Sequence, residues 1–208
     1  MQVTTGLVNY LALQTSQISD SGLFHGRMGI ILSLYCHGAI HDNQSLCDYA
    51  SDILQNTADD YFDGDISIEN GLSGLGLGFT LLYKAGMFKD NLNDILYEID
   101  KKIMSIDPRR MEDHSFRKGA LGVLFYINTR LSVNQECVSI HKDYIKELEA
   151  NVKSKSDACK TIREEEFWES LRQPAWEMED YLEKDAGIDN GSAYYLIINS
   201  YDKVFSCK

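Results

Sequence analysis

Residues 70–83 read NGLSGLGLGFTLLY, and this stretch decides the fold. It is too long for a single strand and apolar almost all round, as a buried helix is. Four glycines, Gly71, Gly74, Gly76 and Gly78, fall inside it. Each interior glycine costs a helix about 0.5–1 kcal/mol against alanine, so a close approach of neighbouring backbones is expected there. The same pattern, a glycine followed by an apolar run at helical spacing, returns three times. It opens HGRMGIILSLY at His25, KGALGVLFYI at Lys118 and NGSAYYLIINSY at Asn190.

The leading glycines are Gly26, Gly71, Gly119 and Gly191, spaced 45, 48 and 72 residues apart. Helical-hairpin repeats need about 40–47 residues, so the first two intervals hold one hairpin each and the third holds additional helix. Striped segments lie between the apolar ones. Residues 45–62 carry Leu46, Tyr49, Ile53, Leu54 and Tyr61 near one face. Residues 91–105 repeat Leu92, Ile95, Leu96, Ile99 and Ile103, with Asn91 as N-cap and Lys101 and Lys102 suited to the C-terminal end of the dipole. Residues 134–153 do the same through Val138, Ile140, Tyr144, Ile145 and Leu148. No alternating run persists, and no sheet is expected. The reading is an all-α, α/α toroid-like domain spanning 1–208. Its inner helices fall near 24–37, 71–85, 118–131 and 190–201, in an incomplete or reduced ring of about four hairpins.

Composition narrows the function classes. A net charge of −12 without a basic stripe disfavours nucleic acid and anionic membranes. No segment approaches 18 apolar residues, and residues 1–17 lack the basic start of a signal peptide. Five dispersed cysteines, without a C-x-x-C pair, read as free thiols in a reducing cytosol. A cytoplasmic location is the expectation.

The combination of GLFHGRMGIILSLY, ENGLSGLGLGFTLLYKAGMFKDNLNDILYEIDKKI, FRKGALGVLFY and GIDNGSAYYLI resembles the repeats of lanthionine synthetase C-like proteins. The compact variety accompanying peptide-maturation genes in Bacteroides-type gut bacteria is the most similar in flavour. The resemblance implies a toroid whose inner-helix starts line a cavity. In catalytic members that cavity holds zinc on two cysteines and a histidine, and the zinc activates a peptide thiolate for thioether formation. His25 falls where the family has its acid/base histidine. The family's cysteines precede such glycines, but the corresponding residues here are Phe24-His25, Glu69-Asn70, Arg117-Lys118 and Asp189-Asn190. None is a cysteine, and the zinc triad is not reproduced. Cys36-His37-Gly38 lies at the far end of the first inner helix, with Gly38 reading as its C-terminal glycine. Cys36, His37 and His41 are weak metal candidates, and no cofactor is expected.

Candidate catalytic residues are His25 as acid/base and Asp65 and Glu69 as rim carboxylates. Asn70, Asp113, His114, Arg117, Lys118, Asp189 and Asn190 are candidates for the cavity lining. Three functions stay open: a peptide-binding lanthionine synthetase C-like protein without zinc-dependent cyclisation; a scaffold for a peptide maturase or leader peptide; and an α/α-barrel hydrolase like the six-hairpin glycosidases. A homodimer completing the ring is a further expectation. The aromatics Phe167, Trp168 and Trp176 in the long interval read either as packing or as a partner interface.

Overall fold

A computed structural model describes residues 2–57, 64–134, 137–155 and 162–205. Within them the chain is all helical, and no strand occurs among the described residues. The elements are α1 (Gln2–Gln14), α2 (Arg27–Ile40), α3 (Gln44–Thr57), α4 (Leu72–Ala85), α5 (Leu92–Met104), α6 (Ala120–Val133), α7 (Lys142–Lys155), α8 (Glu164–Glu169) and α9 (Tyr194–Phe205). The four glycine-led segments are α2, α4, α6 and α9. As expected from its uniform apolarity, every residue of α4 from Leu72 to Leu82 is buried. The striped α5 buries Leu92, Leu96, Ile99 and Ile103 and leaves its other face to water. Asn91 caps it, accepting from the Asn93 amide at 3.1 Å.

The inner helices stand in the order α9, α2, α4, α6, each packed on the next, with α3 outside α2, α5 outside α4 and α7 outside α6. Added side chains would not fit between them. A Cβ on Gly76 would lie 2.6 Å from the Tyr126 ring, and one on Gly78 would lie 2.2 Å from Met28 Cγ. The glycines of α4 therefore let α6 and α2 close on it from two sides.

The long third interval does hold extra helix, and α8 bridges α6 and the first loop. Phe167 is fully buried, stacked at 5.7 Å on Phe125 of α6 and 5.9 Å from Phe24. Trp168 is buried beside it, and Trp176 is half-buried against Tyr195, so these aromatics are packing.

Two expectations shift. The third outer helix begins at Lys142, not near 134, and Val138 is 86% exposed. Ser139 Oγ and Cys137 Sγ turn instead to the buried Asp100 carboxylate, at 2.7 and 3.6 Å, which holds this stretch as a loop. Gly38 lies inside α2, which runs to Ile40 and is capped by His41. A Cβ there would come 2.9 Å from Cys47 Sγ, so Gly38 serves the approach of α3 and does not end the helix. Tyr61, expected on the first outer stripe, lies outside the described residues.

The loops before the inner helices share one design. Each has an aspartate six residues ahead of its glycine: Asp20, Asp65, Asp113 and Asp185. The aspartate carbonyl accepts from the amide after the glycine, from Arg27, Leu72 and Ala120 at 2.8 Å and from Ser192 at 2.6 Å. In the first three, the carboxylate also accepts from the amide two residues on (Gly22, Ser67, Ser115), each at 2.7 Å, forming an Asx turn. The second glycine of each Gly-x-x-Gly has its own reason. A Cβ on Gly29, Gly74 or Gly122 would sit 2.2, 2.1 or 2.1 Å from the carbonyl oxygen of Leu23, Ile68 or Phe116. The fourth loop has Tyr194 at that place, and α9 starts there instead of directly after Gly191.

Candidate functional site

Because the loops are equivalent, the residue two before each glycine is equivalent too: Phe24, Glu69, Arg117 and Asp189. Their backbones join loop to loop. The Asp189 amide donates to Phe24 O at 3.2 Å, Phe24 to Glu69 O at 3.0 Å and Glu69 to Arg117 O at 3.0 Å. The remaining gap, from the third loop to the fourth, is spanned by residues 170–172. Asn190 N donates to Arg172 O at 2.7 Å, and Arg117 Nη2 donates to Ser170 O at 3.2 Å. The ring of inner-helix starts is thus completed within one chain.

The side chains of these positions converge. Arg117 donates through Nη1 and Nη2 to both Asp189 oxygens, at 2.8 and 2.7 Å, and through Nη1 to Glu69 Oε1 at 3.2 Å. Arg172 adds three donors to Asp189: its amide at 2.7 Å, Nε at 2.9 Å and Nη2 at 2.6 Å. Burial by itself would raise the Asp189 carboxyl, but the Arg117 and Arg172 hydrogen bonds and the Arg117 charge hold it well below the usual carboxylate range. The Asp189 hydrogen bond, opposed by desolvation and assisted by the carboxylate charges, raises Arg117 in turn. His25, one-third exposed, directs Nε2 toward Glu69 Oε1 at 3.4 Å and Asp189 Oδ2 at 3.7 Å. Glu69 Oε2 is buried and has no hydrogen-bond partner.

Of the sequence candidates, His25, Glu69, Arg117 and Asp189 are therefore brought together. Asn70, Lys118 and Asn190, the residues after them, are exposed at the rim. Asn190 takes the left-handed conformation, φ 57°, which asparagine tolerates. Asp65 and Asp113 depart from the expectation: their carboxylates cap their own loops through the Asx turns. His114 does as well, pairing with Asn151 Oδ1 at 3.0 Å while Asn151 Nδ2 holds the Pro108 and Met111 carbonyls. It fastens the third loop to α7. Arg172 escaped the sequence reading, since it sits in an irregular segment outside the repeat.

The weak metal candidates do not combine. Cys36 is fully buried, and burial followed by the neighbouring Cys47 pushes its thiol far up. The His37 and His41 rings contact each other, 4.4 Å between centroids, beside a cavity of about 500 Å³ between α1 and α2. Burial first and His41 second lower the His37 pKa. Among the described residues, the donors spaced to hold a metal are those of His25, Glu69 and Asp189, all within 4.8 Å of one another.

The zinc that the resemblance implies does not fit these donors as they stand. Both Asp189 oxygens and Glu69 Oε1 already accept from guanidinium groups. An ion among them would face Arg117, and two unit charges 4 Å apart repel by about 4 kcal/mol at an effective dielectric of about 20, twice that for a dication.

Residues 6–121 match the family described as lanthionine synthetase C-like protein, which is more than half of the chain. The chain belongs to that family. No curated protein and no solved structure matches it. The lanthionine synthetase C-like match takes in the first three loops, with His25, Glu69 and Arg117. Asp189 and Arg172 lie beyond it. No helix among the described residues is long and apolar enough to cross a membrane. Cys36, Cys47 and Cys137 are free thiols, while Cys159 and Cys207 lie outside the described residues.

Proposed function

We propose that this protein binds a peptide over the starts of its inner helices, as part of a ribosomal-peptide modification system, and does so without zinc-dependent cyclisation. The observation that carries the reading is Glu69 Oε2. A buried carboxylate oxygen without a donor is costly, and a bound donor such as a peptide amide would satisfy it. Its surroundings suit such a ligand. His25 is partly exposed beside the other oxygen of the same carboxylate, and Lys118 and the 62%-exposed Arg172 side chain offer cations to acidic side chains of the peptide. Non-catalytic attachment to a peptide maturase would use the same surface. The geometry favours this over the hydrolase reading, because Asp65 Oδ1 accepts from its own turn and Glu69 Oε1 from Arg117.

An array of synthetic peptides containing Ser, Thr, Cys and acidic residues, probed with the purified protein, tests this. Binders are expected, and Glu69→Ala is expected to weaken them about tenfold, the equivalent of 1.4 kcal/mol. A dehydrated, cysteine-containing peptide is expected to show no thioether after incubation. An array without binders, or thioether formation that needs added metal, would overturn the proposal.

A further inference from the structure

We infer that Arg117 is the resident cation of this centre, a side chain standing where a metal ion would otherwise gather the same loops. Four loops present one equivalent residue each, and one of the four touches all the others. The Arg117 guanidinium lies 4.9 Å over the Phe24 ring, donates to Glu69 Oε1 and grips both oxygens of Asp189. It also reaches Ser170 O in the segment that closes the ring. Its neighbours are therefore a ring face, two carboxylates and a carbonyl, drawn from the first, second and fourth loops and the closing segment.

A guanidinium is suited to this task in ways a lysine is not. It is planar, matches a carboxylate through two parallel bonds and stacks on an aromatic face. Here all three capacities are used by one side chain. It is also charged at every accessible pH, so it offsets one of the two carboxylate charges without any metal supply, and Arg172 on Asp189 offsets the other. Among the described residues, the metal-spaced donors are His25 and the two carboxylates that Arg117 already grips. The trio His25, Glu69 and Asp189 is thus a latent site, occupied by a covalently tethered cation. Removing the tether should expose it: the donors would keep their places on the loop backbones and lose the Arg117 charge, leaving the 62%-exposed Arg172 as the remaining guanidinium on Asp189. A trio of one imidazole and two carboxylates suits zinc.

The inference concerns metal and stability, and its readouts are independent of peptide binding. A zinc-free centre together with a barren peptide array would remove the proposed function alone.

The experiment uses the full chain, wild type and Arg117→Ala, each measured after EDTA treatment and after addition of ZnCl₂, by elemental analysis and thermal unfolding. Wild type is expected to carry no zinc and to keep its Tm in both buffers. Arg117→Ala is expected to have a lower Tm in EDTA, and in ZnCl₂ to take up one zinc per chain and regain part of the loss. Adding His25→Ala to that variant is expected to abolish the uptake. Wild type with one zinc per chain, stripped by EDTA with a fall in Tm, would overturn the inference. So would an Arg117→Ala protein that takes no zinc. If Arg117→Ala fails to fold in EDTA, refolding on ZnCl₂ supports the inference and failure in both buffers rejects it.

Discussion

An arginine stands at each end of α6, and the two are used in opposite ways. Arg117, before α6, makes short paired bonds to Asp189 and stays about one-quarter exposed. Arg130, near the end of α6, is fully buried, and so is its counter-charge, Asp100 of α5, at 3.7 Å. Asp100 accepts instead from Tyr126 Oη at 2.5 Å and Ser139 Oγ at 2.7 Å, while Arg130 Nη2 donates to Asn93 Oδ1 at 2.6 Å. Burial and the Asp100 charge keep the Tyr126 phenol protonated, so it stays a donor. The sealed cluster fastens α5 to α6 with both charged side chains fully buried. At the open cluster the better geometry is joined to water access and to His25. The difference separates a fastener from a candidate site, although both centre on an arginine–aspartate pair.

Breaking the sealed cluster should cost most. Asp100→Ala leaves Arg130 buried without its counter-charge, and a loss of about 3–5 kcal/mol in urea unfolding is expected. A loss below about 1 kcal/mol, the range of exposed pairs, would erase the contrast with the surface. Asp189→Asn comes next, at about 2–3 kcal/mol, because two guanidinium groups lose a charged acceptor but one of them faces solvent. Its pH signature sharpens the comparison. The folded Asp189 carboxyl titrates below its unfolded value, so its stabilisation is complete at neutral pH and is lost as pH falls below about 4. Acid unfolding of Asp189→Asn should lack that part of the slope. Asp65→Ala should cost about 0.5–1.5 kcal/mol, the worth of one turn hydrogen bond, and leave peptide binding by the folded protein unchanged. A loss of binding would return Asp65 to the site.

The inner helices were legible because glycines and apolar runs are local signals, and the hairpin spacing repeated them. The residues of the open cluster were legible as positions, since each precedes a leading glycine. Their pairing was not, because the contact of Arg117 with Asp189 spans 72 residues and depends on how the loops face one another. Asp65 and Asp113 turn to their own loops, and an acidic residue ahead of a helix looks the same in sequence whether it faces a ligand or turns back on its own backbone. The signal that separates the two was present, an aspartate six residues ahead of all four glycines, a recurrence that loop geometry demands and that catalysis has no cause to repeat. Arg172 had no such signal. Asp100 was hidden in a run of charges, DKK, on a helix otherwise read as half-exposed.

The hydrogen bond from Tyr10 of α1 to the carbonyl of Lys184 joins positions 174 apart, and α9 packs against α2 beside it. During synthesis the early helices must therefore wait for the last loop. At about 5–20 residues per second, the delay is roughly ten to thirty seconds. For that time the flank of α2 that α9 later covers stays bare on the nascent chain.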